Sequence, residues 1–196
     1  MVLRGIRWET YERLLAEHEE SSGTHFAYDR GALEIMVLSA RHEALKHILA
    51  LLVEVLAEEM GIDVYSFGST TFRRQDLQRG FEPDACFYIR QEAQVRGKTE
   101  IDLAVDPPPD LVIEIDITSL SLDKFPIYSA LGIAEVWRYD GSEVEIFILA
   151  NDGYQRQDES TMLPRVTGRL LTNWLATGQR LKRTEWLRRV RTWARA

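Results

Sequence analysis

Three carboxylates and one lysine stand where an ionised group is costly or sits close to one. Asp84 follows Glu82-Pro83, Glu114 and Asp116 interrupt the run Asp110-Leu-Val-Ile-Glu-Ile-Asp-Ile117, and Lys124 follows shortly after. Leu111, Val112, Ile113, Ile115 and Ile117 read as a strand buried on both faces, where ionised Glu114 and Asp116 need a partner or a cation. Carboxylates from neighbouring strands with a lysine nearby suit one chemistry: oxygen ligands hold Mg2+ or Mn2+ while the ammonium stabilises or orients a nucleophilic water. Phosphodiester hydrolysis uses those parts, because the cation screens the substrate, acidifies its water and balances charge on the leaving oxygen. Alternate residues of a strand share a face, so Glu114 and Asp116 can converge on one ion.

Each of these residues also has a plainer reading. Asp84 could fix a turn after Pro83, Asp116 could start a Thr118-Ser119 loop, and Lys124 taken alone reads as a surface lysine. Glu114, between Ile113 and Ile115, has no turn or capping task. His42 and Glu43 open a long helical pattern. There Glu43 reads first as a contribution to the helix dipole, and an accessory metal-site role for the pair is the lesser reading. The histidines His18, His25, His42 and His47 show no zinc spacing, and neither nucleotide-binding glycine motifs nor Gly-x-Ser-x-Gly occur.

The elements that must position these groups follow from periodicity. Trp8 to Glu20 reads as an amphipathic helix ending at Ser21-Ser22-Gly23; His25–Tyr28 and Ala32–Leu38 read as a hairpin across Asp29-Arg30-Gly31. Leu45, Ile48, Leu49, Leu52, Val53 and Leu56 form a helical stripe between Ser39 and Gly61. Ile62–Phe67, Thr70–Arg73, Ala85–Ile89 and Asp110–Ile117 read as strands, with Gln75–Gly80 a loop. A helix over Leu120–Leu131, with Pro126 in its first turn and Gly132 as its stop, leads to strands Ala134–Tyr139 and Glu143–Leu149 across Asp140-Gly141. The tail from Leu170 is helical. The order predicts a mixed α/β or α+β fold with one central sheet.

The 196 residues, 45% of them hydrophobic, suffice for a single domain over 1–196 with a well-buried core. No apolar run approaches the ~20 residues a bilayer requires, so a soluble cytoplasmic protein with no membrane partner is expected. The single cysteine, Cys86, excludes an intramolecular disulfide and a multi-cysteine zinc site, and reads as a small buried residue. From Arg165 onward nine basic residues face one acid, Glu185. Residues 165–196 thus form a basic C-terminal helical extension of net charge +8, against -15 for the remainder of a chain of net charge -7. That asymmetry could make a phosphate-facing patch, or a solvated helix whose charges pair with the acidic body.

The ordered motifs Gly31-Ala-Leu, Ser39-Ala-Arg-His42, Gly80-Phe-Glu-Pro-Asp84, Pro109-Asp110-Leu-Val-Ile-Glu114, Lys124-Phe-Pro-Ile-Tyr128 and Gly132-Ile-Ala-Glu-Val-Trp137-Arg-Tyr-Asp140 cover most of the chain. In these the sequence resembles the putative restriction endonuclease family of the PD-(D/E)XK nuclease superfamily. The resemblance implies a restriction-endonuclease-like core, a central mixed sheet flanked by helices. It also implies that Asp84 and Glu114 are acidic metal ligands, and that the lysine has moved to Lys124. The superfamily motif places lysine two residues after the second acid, where this chain has Asp116, an extra ligand or a mark of altered activity.

The expectation is a Mg2+- or Mn2+-dependent endonuclease acting on DNA, with Asp84, Glu114 and Asp116 holding the ion and Lys124 assisting the water. The alternative is a noncatalytic nucleic-acid-binding or assembly module that keeps the fold. A homodimer is expected if two strands are cut, with Trp174, Trp186 and Trp193 as either interface or core anchors.

Overall fold

In the computed structural model, which describes residues 1–18, 23–117 and 122–196, the chain runs β1 (Val2–Arg4), α1 (Trp8–Glu17), β2 (Thr24–Asp29), β3 (Ala32–Val37), α2 (Ala40–Met60), β4 (Tyr65–Gly68), β5 (Phe72–Arg74), β6 (Arg79–Phe81), β7 (Ala85–Tyr88), α3 (Glu92–Val95), β8 (Leu111–Ile115), α4 (Phe125–Leu131), β9 (Glu135–Tyr139), β10 (Val144–Ala150), β11 (Gly153–Gln157), α5 (Gly168–Gly178) and α6 (Arg183–Arg195). The expected break at Ser21-Ser22, the Thr118-Ser119 loop and the first residues of the helix expected over Leu120–Leu131 lie outside the described residues.

The expected central mixed sheet is present as six strands in the order β11-β10-β9-β8-β7-β4. Beside it stands a second sheet, β1-β3-β2-β6-β5, which the pattern of single strands did not predict. All pairs of the second sheet are antiparallel. In the mixed sheet the parallel pair is β8 with β9, joined through α4. A parallel pair requires a crossover, and the crossover lays its helix on one face of the sheet.

That crossover fixes which side of β8 carries chemistry. Leu111, Ile113 and Ile115 alternate onto one face and pack with Leu49, Leu52, Val53 and Leu56 of α2. Val112 points to the other face, toward Phe81, Ile127, Tyr128 and Val136, so Glu114 shares the face covered by α4 and the second sheet. The long helix α2 is bounded as its sequence predicts: Ser39 Oγ accepts a hydrogen bond from His42 N at 3.2 Å, and Gly61 ends it with φ of 68°. Gly132 closes α4 in the same left-handed way, with φ of 79°, and Pro126 is tolerated in the first turn.

The C-terminal helices complete the core on the α2 side. Trp174 and Trp186 are buried with Val190 and Ala194, and Trp186 Nε1 donates to Trp174 O at 3.0 Å. These two tryptophans are therefore anchors of the chain's own core rather than interface surface. Cys86 lies fully buried on β7, and burial pushes its thiol up to about 12. No helix among the described residues is long and apolar enough to cross a membrane.

Candidate active site

Asp84, Glu114 and Lys124 come from three separate elements and meet on the α4-facing side of the mixed sheet. Asp84 sits immediately before β7, which pairs with β8 in the register Ala85 opposite Ile113. Its Oδ2 accepts a hydrogen bond from Ile115 N at 2.6 Å, fixing the carboxylate beside the strand that carries Glu114. Lys124, the residue capping the start of α4, donates from Nζ to Glu114 Oε2 at 2.6 Å. Tyr128, one helical turn further along, donates to Glu114 Oε1 at 2.5 Å. The surface-lysine reading of Lys124 therefore fails: its side chain, like that of Asp84, is nearly sealed from water within one charge cluster.

Two histidines complete the surroundings of Asp84. His42 Nε2 lies 3.1 Å from its Oδ2 and His25 Nδ1 lies 3.4 Å from its Oδ1. The helix cap at Ser39 sets where α2 begins, and this places His42 at the site. Glu43 stays at the margin, half-exposed, 3.5 Å from His42 Nδ1 and paired with Lys46 at 2.6 Å.

The electrostatics follow from burial and proximity. Burial alone would raise Asp84, but contacts with His25 and His42 and the nearby Lys124 charge hold its carboxyl well below the usual carboxylate range. Burial pushes Glu114 upward, with the Lys124 ammonium opposing and the Asp84 charge adding to the rise. Burial would lower Lys124, yet Glu114, Asp84 and Glu34 together raise it well above its ordinary value and keep it an ammonium. His42 is raised, its desolvation outweighed by Asp84 and Glu43.

Glu34, which the sequence places in the strand before the long helix without assigning it a role, faces the site. It comes from β3 of the second sheet, is buried, accepts a hydrogen bond from Leu122 N at 3.1 Å and leaves Oε2 without a partner. Burial raises its carboxyl despite the attraction of Lys124. Its signal was present in Ala32-Leu-Glu34-Ile-Met-Val37, an acid inside an apolar strand, the same pattern that singled out Glu114. Asp110 shows the opposite outcome: buried at the head of β8, it accepts from Ile89 N at 2.7 Å and Gln91 N at 3.0 Å and so secures the entry to α3.

Asp116 lies just past β8, its N–H bonded to Tyr139 O at 2.8 Å, and lines with Glu114 and Lys124 a cavity of about 270 Å³. Met36, Phe125, Tyr128 and Arg138 form other parts of its wall.

The donor set suits a hard divalent cation. Asp84, just before β7, and Glu114, on β8, bring carboxylate oxygens to neighbouring strands, and buried Asp84 Oδ1 has His25 Nδ1 as its neighbour at 3.4 Å, too poorly placed for a hydrogen bond. Among the described residues no group of three or more His, Cys, Asp and Glu is disposed to hold a metal.

Three of the nine cations of the basic tail are held in ion pairs within the protein. Arg191 pairs with Glu58 at 3.1 Å and with Glu59, Arg195 pairs with Glu59 at 2.5 Å, and Arg189 pairs with Glu185 at 2.6 Å. The Arg191 and Arg195 pairs bind α6 to α2, on the face of the mixed sheet opposite to Glu114, and the Arg189 pair lies within α6.

The chain has likenesses among known proteins in family pattern and in fold. A family model described as Uma2, putative restriction endonuclease, matches residues 8–178. No curated protein matches the chain. Among solved structures, the chain is similar to a putative nuclease belonging to DUF820 from Anabaena variabilis ATCC 29413, at 18% identity and a TM-score of 0.51, covering 76% of this chain and 90% of that one. At that identity the likeness is one of fold.

Proposed function

Since the chain belongs to the Uma2 putative restriction endonuclease family, we propose that it is a Mg2+- or Mn2+-dependent endonuclease that hydrolyses phosphodiester bonds in DNA. The single observation that supports this most is the Asp84–Glu114–Lys124 cluster, two buried carboxylates and an ammonium, of which Glu114 and Lys124 line a cavity and Asp84 lies buried behind them.

In this reading Asp84 and Glu114 hold the cation, with Asp116 at the cavity rim as a further ligand. The cation, when bound, supplies an acidified water and screens the phosphate. Lys124 serves as a fixed positive charge rather than as a base, because the carboxylates around it hold it protonated. Its Nζ–H groups not taken by Glu114 can donate to a phosphate oxygen as charge builds there. Tyr128 clamps the other Glu114 oxygen, so the carboxylate cannot rotate. Displacement of the lysine from strand to helix leaves the ammonium at the second acid and frees the strand position for Asp116. A homodimer would supply one such site for each strand of a duplex, which sedimentation velocity of the purified protein tests.

One observation favours a second reading, a noncatalytic DNA-binding module: both Glu114 oxygens are already engaged, by Lys124 and Tyr128. Mn2+ titration separates the two. An endonuclease binds the ion and loses it in Glu114→Gln, whereas a binding module holds DNA without measurable ion affinity.

A further inference from the structure

Arg138 on β9 stands opposite Glu114 in the parallel register of β8 and β9, on the same face, and lines the cavity with Lys124. We propose that Arg138 is a phosphate-binding residue of this cavity, holding a phosphate group of the nucleic acid beside the Asp84–Glu114–Lys124 cluster. The proposal rests on the nuclease reading for its substrate, and on the structure for its residue.

Three features set Arg138 apart from an ordinary surface arginine. Its guanidinium is held in place before any ligand arrives. Cζ lies 4.9 Å from the Phe147 ring centroid and 5.5 Å from that of Phe125, and Nη2 donates to Glu145 Oε2 at 2.7 Å. The pairing with Glu145 is shared, because the other oxygen of that carboxylate accepts from Arg156 at 2.8 Å. Nε of Arg138 is buried with no hydrogen-bond partner. A cross-strand ion pair with the directly opposed Glu145 explains Nη2 alone and leaves this N–H unmet.

A guanidinium edge with a free Nε–H, fixed on aromatic faces, matches the oxygen spacing of a phosphate. The position also makes chemical sense. Asp116 and Asp123 line the same cavity and would repel an anion, so a phosphate entering it needs cations on its far side. Lys124 supplies one at the helix start, and Arg138 supplies the second from the neighbouring strand.

The test follows the Arg138 Nε–Hε signal in arginine-labelled protein by nitrogen–proton NMR, identified by its loss in Arg138→Lys, which keeps the charge and the fold. Inorganic phosphate, a deoxynucleoside 5′-monophosphate and a short DNA duplex are titrated separately in EDTA. The account predicts a saturable shift. Movement with all three assigns a terminal phosphate, and movement with the duplex alone an internal phosphodiester. A signal that moves with none of them overturns the proposal. Turnover is not needed, so a moving signal in a protein that cuts nothing would leave Arg138 assigned and remove the nuclease reading instead.

Discussion

Lys124 meets Glu114 from the helix that follows the strand, Nζ to Oε2 at 2.6 Å, with each side chain about nine-tenths buried. The crossover α4 is what brings them together. A helix joining parallel neighbours β8 and β9 must lie on one face of the sheet, and Glu114 is on that face. The ammonium thereby reaches the carboxylate that a lysine two residues along the strand would otherwise serve.

Breaking this pair from the lysine side is predicted to cost stability in a pH-dependent way. Lys124→Met leaves Glu114 buried and unpaired, a loss of about 3–5 kcal/mol at pH 7.5. Glu114 is already raised in the folded state. Such a group contributes stability that is full below its unfolded value and is lost as pH rises through its folded value. Removing Lys124 raises the folded value further, so the deficit should shrink at pH 5. Urea unfolding of parent and variant at both pH values checks this; an equal deficit at the two would contradict it.

Metal affinity should depend on the same proton. A protonated carboxyl is a poor ligand, so Mn2+ binding weakens as pH falls through the raised Glu114 value, by up to about tenfold per pH unit for one displaced proton. Asp84, held low, stays ionised throughout, while His42, raised and 3.1 Å from Asp84 Oδ2, gains its charge over the same range and adds to the slope. Electron paramagnetic resonance of free Mn2+ between pH 8 and pH 5 reads the trend. The account expects weakening to begin above the ordinary carboxylate range, and an affinity unchanged down to pH 5 would count against it.

Glu135→Gln tests a buried carboxylate with a purely structural task. Glu135 is fully buried and accepts from Trp137 Nε1 at 2.6 Å, Ser160 Oγ at 2.6 Å, and Thr161 N and Oγ1, each at 2.8 Å. The amide turns one acceptor into a donor facing donors, a cost of about 2–3 kcal/mol. Thermal unfolding should show that loss, with faster amide exchange over residues 158–166 and unchanged Mn2+ affinity.

Gly168→Ala should destabilise without touching the site. A Cβ there would stand 2.5 Å from Val144 O, backbone against backbone, where neither α5 nor β10 can yield cheaply. About 1–3 kcal/mol is expected, visible as a lower urea midpoint with an unchanged slope.

The elements with end signals were legible in the sequence. Ser39 and Gly61 bound α2 in fact as in pattern, and Asp29-Arg30-Gly31 and Asp140-Gly141 turn the chains they were expected to turn. The strands that escaped are short or polar: β1 and β6 have three residues each, and β11 reads Gly-Tyr-Gln-Arg-Gln, with no apolar face. Since β1 and β6 both belong to the second sheet, missing them hid that sheet and with it the route by which Glu34 reaches Lys124. Tyr128 is spaced one helical turn from Lys124, but its role needed the partner on β8 to be seen. Arg138 is a lone cation in a strand, and only the register with Glu114 gives it meaning.

The central claim is tested most directly by cleavage. Purified protein is incubated with linear, circular and branched DNA in Mg2+ or Mn2+, beside Lys124→Ala and Glu114→Gln whose folding has been checked by circular dichroism. The account predicts metal-dependent cleavage by the parent, lowered at least about 10²-fold in each variant. Cleavage that survives both substitutions, or a parent that binds DNA and cuts none of it, would contradict it.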